Sequence, residues 1–97
     1  MSVPNHVERS LADTLVWRLS SVADVEAVFH SCDDRGVQHV YSIVEDHVPA
    51  VYKKVMRAEE RIQNDFPAVA FAFHVRASQG RTPSSTAPLF ARPLFER

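Results

Sequence analysis

These 97 residues contain little ready-made chemistry. Cys32 is the only cysteine, so no internal disulfide can form and no thiolate-rich zinc site is available. Gly36 and Gly80 are the only two glycines. Consistent with that, the chain has no P-loop, no GxGxxG and no GxSxG, the loops that cradle phosphates or present a nucleophile. No apolar run approaches the roughly 20 residues that span a bilayer, so a membrane role is not expected. Neither sign of charge dominates: 11 Lys and Arg face 12 Asp and Glu, for a formal net charge of -1. A nucleic-acid role would need a local basic patch that the total hides, and nucleic acid is not an expected partner. The polar N-terminus has no apolar h-region and no twin arginine, so no secretion signal is read there and a cytoplasmic protein is expected.

What is present is a globular mixture, 45% hydrophobic and 24% charged. Such a mixture is too apolar for global disorder. The length fits one domain, which buries roughly 60–65% of the surface that its unfolded chain exposes.

The stretch from Val37 to Arg76 organises the rest. It reads as strand (VQHVYSIV), helix (VPAVYKKVMRAEERIQNDF) and strand (AVAFAFHVR). Before it, Val7, Leu11, Leu15 and Leu19 recur every four residues and predict an amphipathic helix of about four turns. Asn5 and Glu8 have capping-box spacing at its start, and Ser20–Ser21 mark its end. Val25–Cys32 (VEAVFHSC) is a strand candidate, joined to the next strand by a polar loop in which Gly36 supplies a positive φ. In the second helix, Asp46 is a plausible cap, Pro49 suits the first turn, and Pro67 stops the run. Residues 1–77 are thus read as one α+β domain, a single-layer α/β sandwich in the order α-β-β-α-β. It has a three-stranded mixed sheet with two helices on one face. Residues 78–97 read as a polar linker and an extended arm, in which Pro88-Leu-Phe-Ala-Arg is echoed by Pro93-Leu-Phe-Glu-Arg. Its prolines permit only an edge position, and the arm is expected to pack on the domain or on a partner.

A four-residue loop would pair Cys32 with Val37, His30 with His39 and Val28 with Tyr41. Period-two alternation then places Ala27, Phe29, Val40 and Val44 toward the helices. Glu26, Val28, His30, Cys32, His39, Tyr41 and Ile43 fall on the opposite face. One bulged residue would reverse part of this. In the last strand the Phe71, Phe73 and Val75 side is expected inward, and His74 and Arg76 outward.

In that register His30, His39 and His74 share a face. Three imidazoles with an open position can hold zinc and activate a water, with Asp33 or Glu45 as a further carboxylate. The plainer alternative is a set of half-exposed sheet or dimer-interface histidines, and no cofactor is expected. Glu45, Asp46 and His47 form a strand-to-helix turn, where α/β proteins commonly place ligands; the alternative is a cap with solvated charge. Cys32 beside His30 or His39 has the makings of a nucleophile and base, although a lone cysteine is more often a small buried hydrophobe. Lys53, Lys54, Arg57 and Arg61 form a basic helix face, which Glu59 and Glu60 dilute. Trp17, Tyr41, Leu89, Phe90, Leu94 and Phe95 are the candidate interface residues.

The opening helix followed by VEAVFHS resembles the start of minimal nucleotidyltransferases. That family needs Gly-Ser at the strand end and two metal-binding aspartates on the next strand. His30-Ser31 stands here instead, with no Asp-x-Asp, so that activity is not implied. The run from Tyr41 to Val75, with the opening helix and the Leu-Phe ending, is similar to small hypothetical bacterial α+β proteins of like length, a resemblance that implies no activity. The expectation is therefore a non-enzymatic accessory protein that self-associates, as a homodimer, or binds a protein partner. The alternative is a metal-dependent or small-ligand-binding enzyme using the histidine face.

Overall fold

The computed structural model describes residues 3–97, with side chains from residue 11 onward. The elements follow in the order α1 (Val3–Ser20), β1 (Val25–Cys32), β2 (Gln38–Val44), α2 (Pro49–Asp65), β3 (Phe71–Ala77), α3 (Pro83–Thr86) and β4 (Arg92–Glu96). The fold is α+β, but the sheet has four strands, not three, in the order β3-β2-β1-β4. The extra strand comes from the arm. Pro93 lacks an N–H and can sit only where no partner strand needs one, and β4 is an edge that pairs with β1 alone. The β2–β3 pairing is parallel and the others are antiparallel.

Asn5 lies inside α1, so it does not cap that helix; the side chains of the proposed Asn5–Glu8 box lie outside the described residues. At the other end, the Ser21 hydroxyl donates to the Arg18 carbonyl at 2.7 Å. Asp46 does not cap α2 either: the N-cap is Val48, with Pro49 following it.

The largest departure from the sequence reading is the β1–β2 register. The loop has five residues rather than four. The Asp33 N–H donates to the Val37 carbonyl at 3.1 Å, and the Asp33 carboxylate accepts the N–H groups of Arg35 and Val37 at 2.8 and 3.0 Å. Gly36 turns the chain with φ at 82°. Val37 is thereby drawn into the loop, and Cys32 pairs with Gln38, His30 with Val40 and Phe29 with Tyr41. A register shift between Val25 and Ala27 absorbs the extra residue, so Val25 still opposes Val44. Beyond that bulge every β1 side chain is turned relative to expectation, because a slip of one residue exchanges the faces.

Val28 therefore joins Val25, Val40 and Val44 in the main core with Leu15 and Leu19 of α1 and Val55, Ala58 and Ile62 of α2. Ala27 and Phe29 join Tyr41 and Ile43 on the second face. The chain itself covers that face: Ala87 and Ala91, from the segment around α3, pack there. Phe71, Phe73 and Val75 do face the main core, but only half-buried, because β3 is an edge strand. At the other edge Leu94 and Phe95 pack against the same core. Arg97 fastens this end: its side chain donates to the carbonyls of Val25, Ser20 and Val22 at 2.7, 2.7 and 3.2 Å.

Helix α2 carries one group in tension with its surroundings. Glu59 is half-buried beside Met56 and Phe73, and its Oε2 has no hydrogen-bond partner among the described residues. Burial pushes its carboxyl up to about 7 from an ordinary 4.5. The unfolded chain releases this proton at lower pH than the folded chain, so stability falls as pH rises through that window. Water still screens a half-buried group, which tempers the effect. We expect Glu59→Gln to raise stability by about 1–2 kcal/mol at about pH 8 and to change it little at about pH 4. Urea unfolding at the two pH values checks this, and an equal gain at both would show that the charge is not the cause.

Candidate functional site

The five-residue loop sets the face that His30 takes, and the β2–β3 pairing brings His39 to His74. His30, opposite Val40, lies on the helix side of the sheet. His39 and His74, on adjacent parallel strands, lie on the other side with Tyr41 and Arg76. The expected trio is therefore split.

His39 and His74 form a linear array with Asp33. His39 Nε2 donates to the Asp33 carboxylate at 2.9 Å, and His39 Nδ1 shares a hydrogen bond with His74 Nε2 at 3.1 Å. The rings stack: Tyr41 and His74 have centroids 4.6 Å apart, and His39 and His74 5.4 Å. The Arg76 guanidinium lies over Tyr41 at 5.2 Å and donates to the Thr86 carbonyl at 3.1 Å, which ties the array to the covering segment. The hydrogen bond from His39 holds the Asp33 carboxyl below its usual range, with help from the Val37 and Arg35 amides. Desolvation lowers His74, and the neighbouring His39 and Arg76 lower it further. Charged Asp33 fixes the tautomer of His39 with its hydrogen on Nε2, which leaves Nδ1 to accept from the His74 Nε2–H.

This arrangement does not suit a metal. Ligands must converge on one point with free lone pairs, whereas both nitrogens of His39 are engaged by neighbours on either side of its ring. Among the described residues no group of three or more His, Cys, Asp or Glu side chains is placed to hold an ion. His30, His39 and His74, the alternative zinc set in the sequence, do not share a face.

His30 has a different setting. It is only 7% exposed, and its Nε2 is 2.6 Å from the Gln38 amide oxygen, to which it donates. Burial is the main reason its pKa is lowered. Gln38 in turn donates to the Cys32 sulfur at 3.2 Å. Cys32 is exposed, not the small buried hydrophobe that a lone cysteine more often is. It has neither His30 nor His39 as a hydrogen-bond partner among the described residues, so the nucleophile–base pair is not assembled. Phe90 and Arg92 line a groove of about 490 Å³ together with these groups.

The Glu45–Asp46–His47 turn is exposed and lies at the far end of β2 from His39. Five residues of strand lie between His39 and Glu45, which puts them roughly 20 Å apart. His47 hydrogen-bonds and stacks with Tyr52, so it braces the start of α2. Of the candidate interface residues, Tyr41 is buried, Leu94 and Phe95 are half-buried in β4, and Trp17, Leu89 and Phe90 are 63%, 103% and 73% exposed.

No spacing marks Gln38 in the sequence as a functional residue, because its contacts with His30 and Cys32 depend on the five-residue loop. Among the described residues no helix is long and apolar enough to cross a membrane. Comparison with protein-family models, curated proteins and solved structures finds no match to this chain.

Proposed function

We propose that this protein is a self-associating interaction protein, and that it pairs with a second copy of itself along β3 to extend the sheet. The observation that carries this reading is the contrast between the two sheet edges. Natural sheets blunt their edges with proline, charge or irregularity. β4 has all three: Pro93, the charges of Arg92 and Glu96, and a register break against β1. β3 (FAFHVRA) has no proline, no lysine and no break in its pairing, and Arg76 is its only permanent charge.

The hydrogen bonds at its two ends show which groups the edge offers. Gln38 N–H donates to the Ala70 carbonyl, and Ser78 N–H donates to the Val44 carbonyl. Even-numbered residues thus bond inward to β2, and alternation leaves Phe71, Phe73, Val75 and Ala77 with outward N–H and C=O groups. A seven-residue strand pairing with itself over its full length has its two-fold axis at His74. Antiparallel pairing about that axis sets Phe71 opposite the partner's Ala77, Phe73 opposite the partner's Val75, and Ala72 opposite the partner's Arg76. Each larger side chain meets a smaller one. The half-buried Phe71 and Phe73, and Met56 on α2 at 53% exposure, gain cover in the pair.

The alternative of a small-ligand or metal enzyme on the histidine face has less support. His39 is occupied on both nitrogens, and none of the three grooves described for this chain includes His39 or His74.

Light scattering after size exclusion tests the proposal. We expect twice the mass of the 11.0 kDa chain. Val75→Pro removes an outward N–H that has no hydrogen-bond partner among the described residues. His74→Lys sets two cations opposite one another at the axis. Both variants should run as folded monomers with unchanged far-ultraviolet circular dichroism. A wild-type monomer at millimolar concentration, or a dimer indifferent to both changes, would sink the proposal.

A further inference from the structure

A second concentration of chemistry lies on the other side of the molecule, in a groove of about 380 Å³ between α1 and α2. Trp17 and Arg18 come from α1; Lys54, Arg57 and Arg61 come from α2. The structure sorts the charges of α2 in a way that composition conceals. Glu59 and Glu60 line the side toward β3, with Met56 and Phe73, and do not reach this groove. The chain has a net charge of -1, yet this groove is basic.

Two of its cations are already engaged. Arg18 pairs with Asp65 through two bonds at 3.0 and 3.2 Å, and Lys54 lies 3.6 Å from Asp24. Arg57 and Arg61 are exposed and have no carboxylate partner among the described residues. They stand one turn apart on the same helix stripe, where like charges repel. Beside them Trp17 is 63% exposed. The Arg18 guanidinium lies 4.3 Å over its ring, so one side of the indole is backed by a side chain that Asp65 holds in place, and the remainder is open.

We infer that this groove binds the phosphate-and-base unit of a nucleotide. The base lies on the open face of Trp17, and the phosphate lies between Arg57 and Arg61. Guanidinium groups present forked donors that match phosphate oxygens. An indole face stacks on any base without reading its identity. The groove is within the size range of small-ligand sites. A bare phosphate leaves the indole unused, and an uncharged base leaves both arginines unused. The chemistry is shared by a free nucleotide and by a single-stranded nucleic acid.

Trp17 is the only tryptophan, so its fluorescence reports on this groove alone. The full chain is titrated with AMP, adenosine, inorganic phosphate and a short single-stranded oligodeoxyadenylate. We expect saturable quenching by AMP or by the oligonucleotide, and binding weaker by about tenfold or more with adenosine or phosphate alone. Arg57→Ala and Arg61→Ala should each weaken binding by about tenfold with unchanged circular dichroism. Saturation by the oligonucleotide alone, with affinity falling steeply as salt rises, identifies a nucleic-acid strand as the source. Saturation by AMP as tight as that by the oligonucleotide identifies a free nucleotide. Absence of saturable quenching by either, or undiminished binding in the Arg57→Ala/Arg61→Ala protein, overturns the inference.

Discussion

Deleting residues 88–97 should leave a chain that no longer unfolds cooperatively. The deletion removes β4, which pairs with Ala27, Val28, Phe29 and His30. It also takes Leu94 and Phe95 from the main core and Ala91 from the second cluster. Finally it releases Arg97, whose side chain holds three carbonyls around the α1–β1 connection and whose N–H donates to Glu26. Two half-buried apolar side chains contribute about 2–3 kcal/mol together. A charged donor with several carbonyl partners adds about 1.5–3 kcal/mol. The lost strand pairing also opens the backbone of β1, which is buried along most of its length. Together these losses reach the lower end of the stability of a domain this size, about 5–15 kcal/mol. Thermal melting followed by far-ultraviolet circular dichroism checks it. A truncated chain that melts cooperatively near the full-length temperature would show the arm to be dispensable. Leu89→Ser serves as the contrast: that side chain is 103% exposed, and its loss should cost no more than about 0.5 kcal/mol.

Ile62→Ala should cost about 2–5 kcal/mol. Ile62 is fully buried, in the cluster where α2 meets α1 and the sheet. Truncation there removes apolar area and leaves a cavity. Neighbours such as Leu15, Leu19 and Val55 are themselves at 0% exposure and are held by their own packing, so the site cannot collapse freely. Lys53→Ala, on the wet side of the same helix, should change stability by less than about 0.5 kcal/mol. Urea unfolding of both variants measures the difference. Comparable losses would mean that the helix is rotated from the orientation described.

The elements were legible because periodicity is a local property. The α2 stripe and its end before Pro67 follow from residue spacing and from the missing proline N–H. The faces of β2 and β3 were also legible, since one side of each carries Val40 and Val44, or Phe71 and Phe73. β1 was not. Val25, Ala27, Val28 and Phe29 are all buried, so apolar content marks neither side, and a single bulge sets the faces. The histidine set inherits that ambiguity: alternation from a four-residue loop puts His30 on the face opposite to the one it occupies. The segregation of Arg57 and Arg61 from Glu59 was available in the helical spacing, but reading the charges as one run concealed it.

The sequence by itself therefore determined the elements, their order up to β3, and the inward sides of β2, α2 and β3. The tertiary structure alone decided three things. It decided that Asp33 builds a five-residue loop and so shifts β1 by one residue. It set β3 beside β2, so that His39 and His74 touch, and turned His30 to the other face. It laid the arm along β1 as a fourth strand, leaving β3 as the unguarded edge. The physical reason is common to all three. Each rests on hydrogen bonds between segments distant in the chain, or on a side chain capping a turn, and neither leaves a period in the sequence.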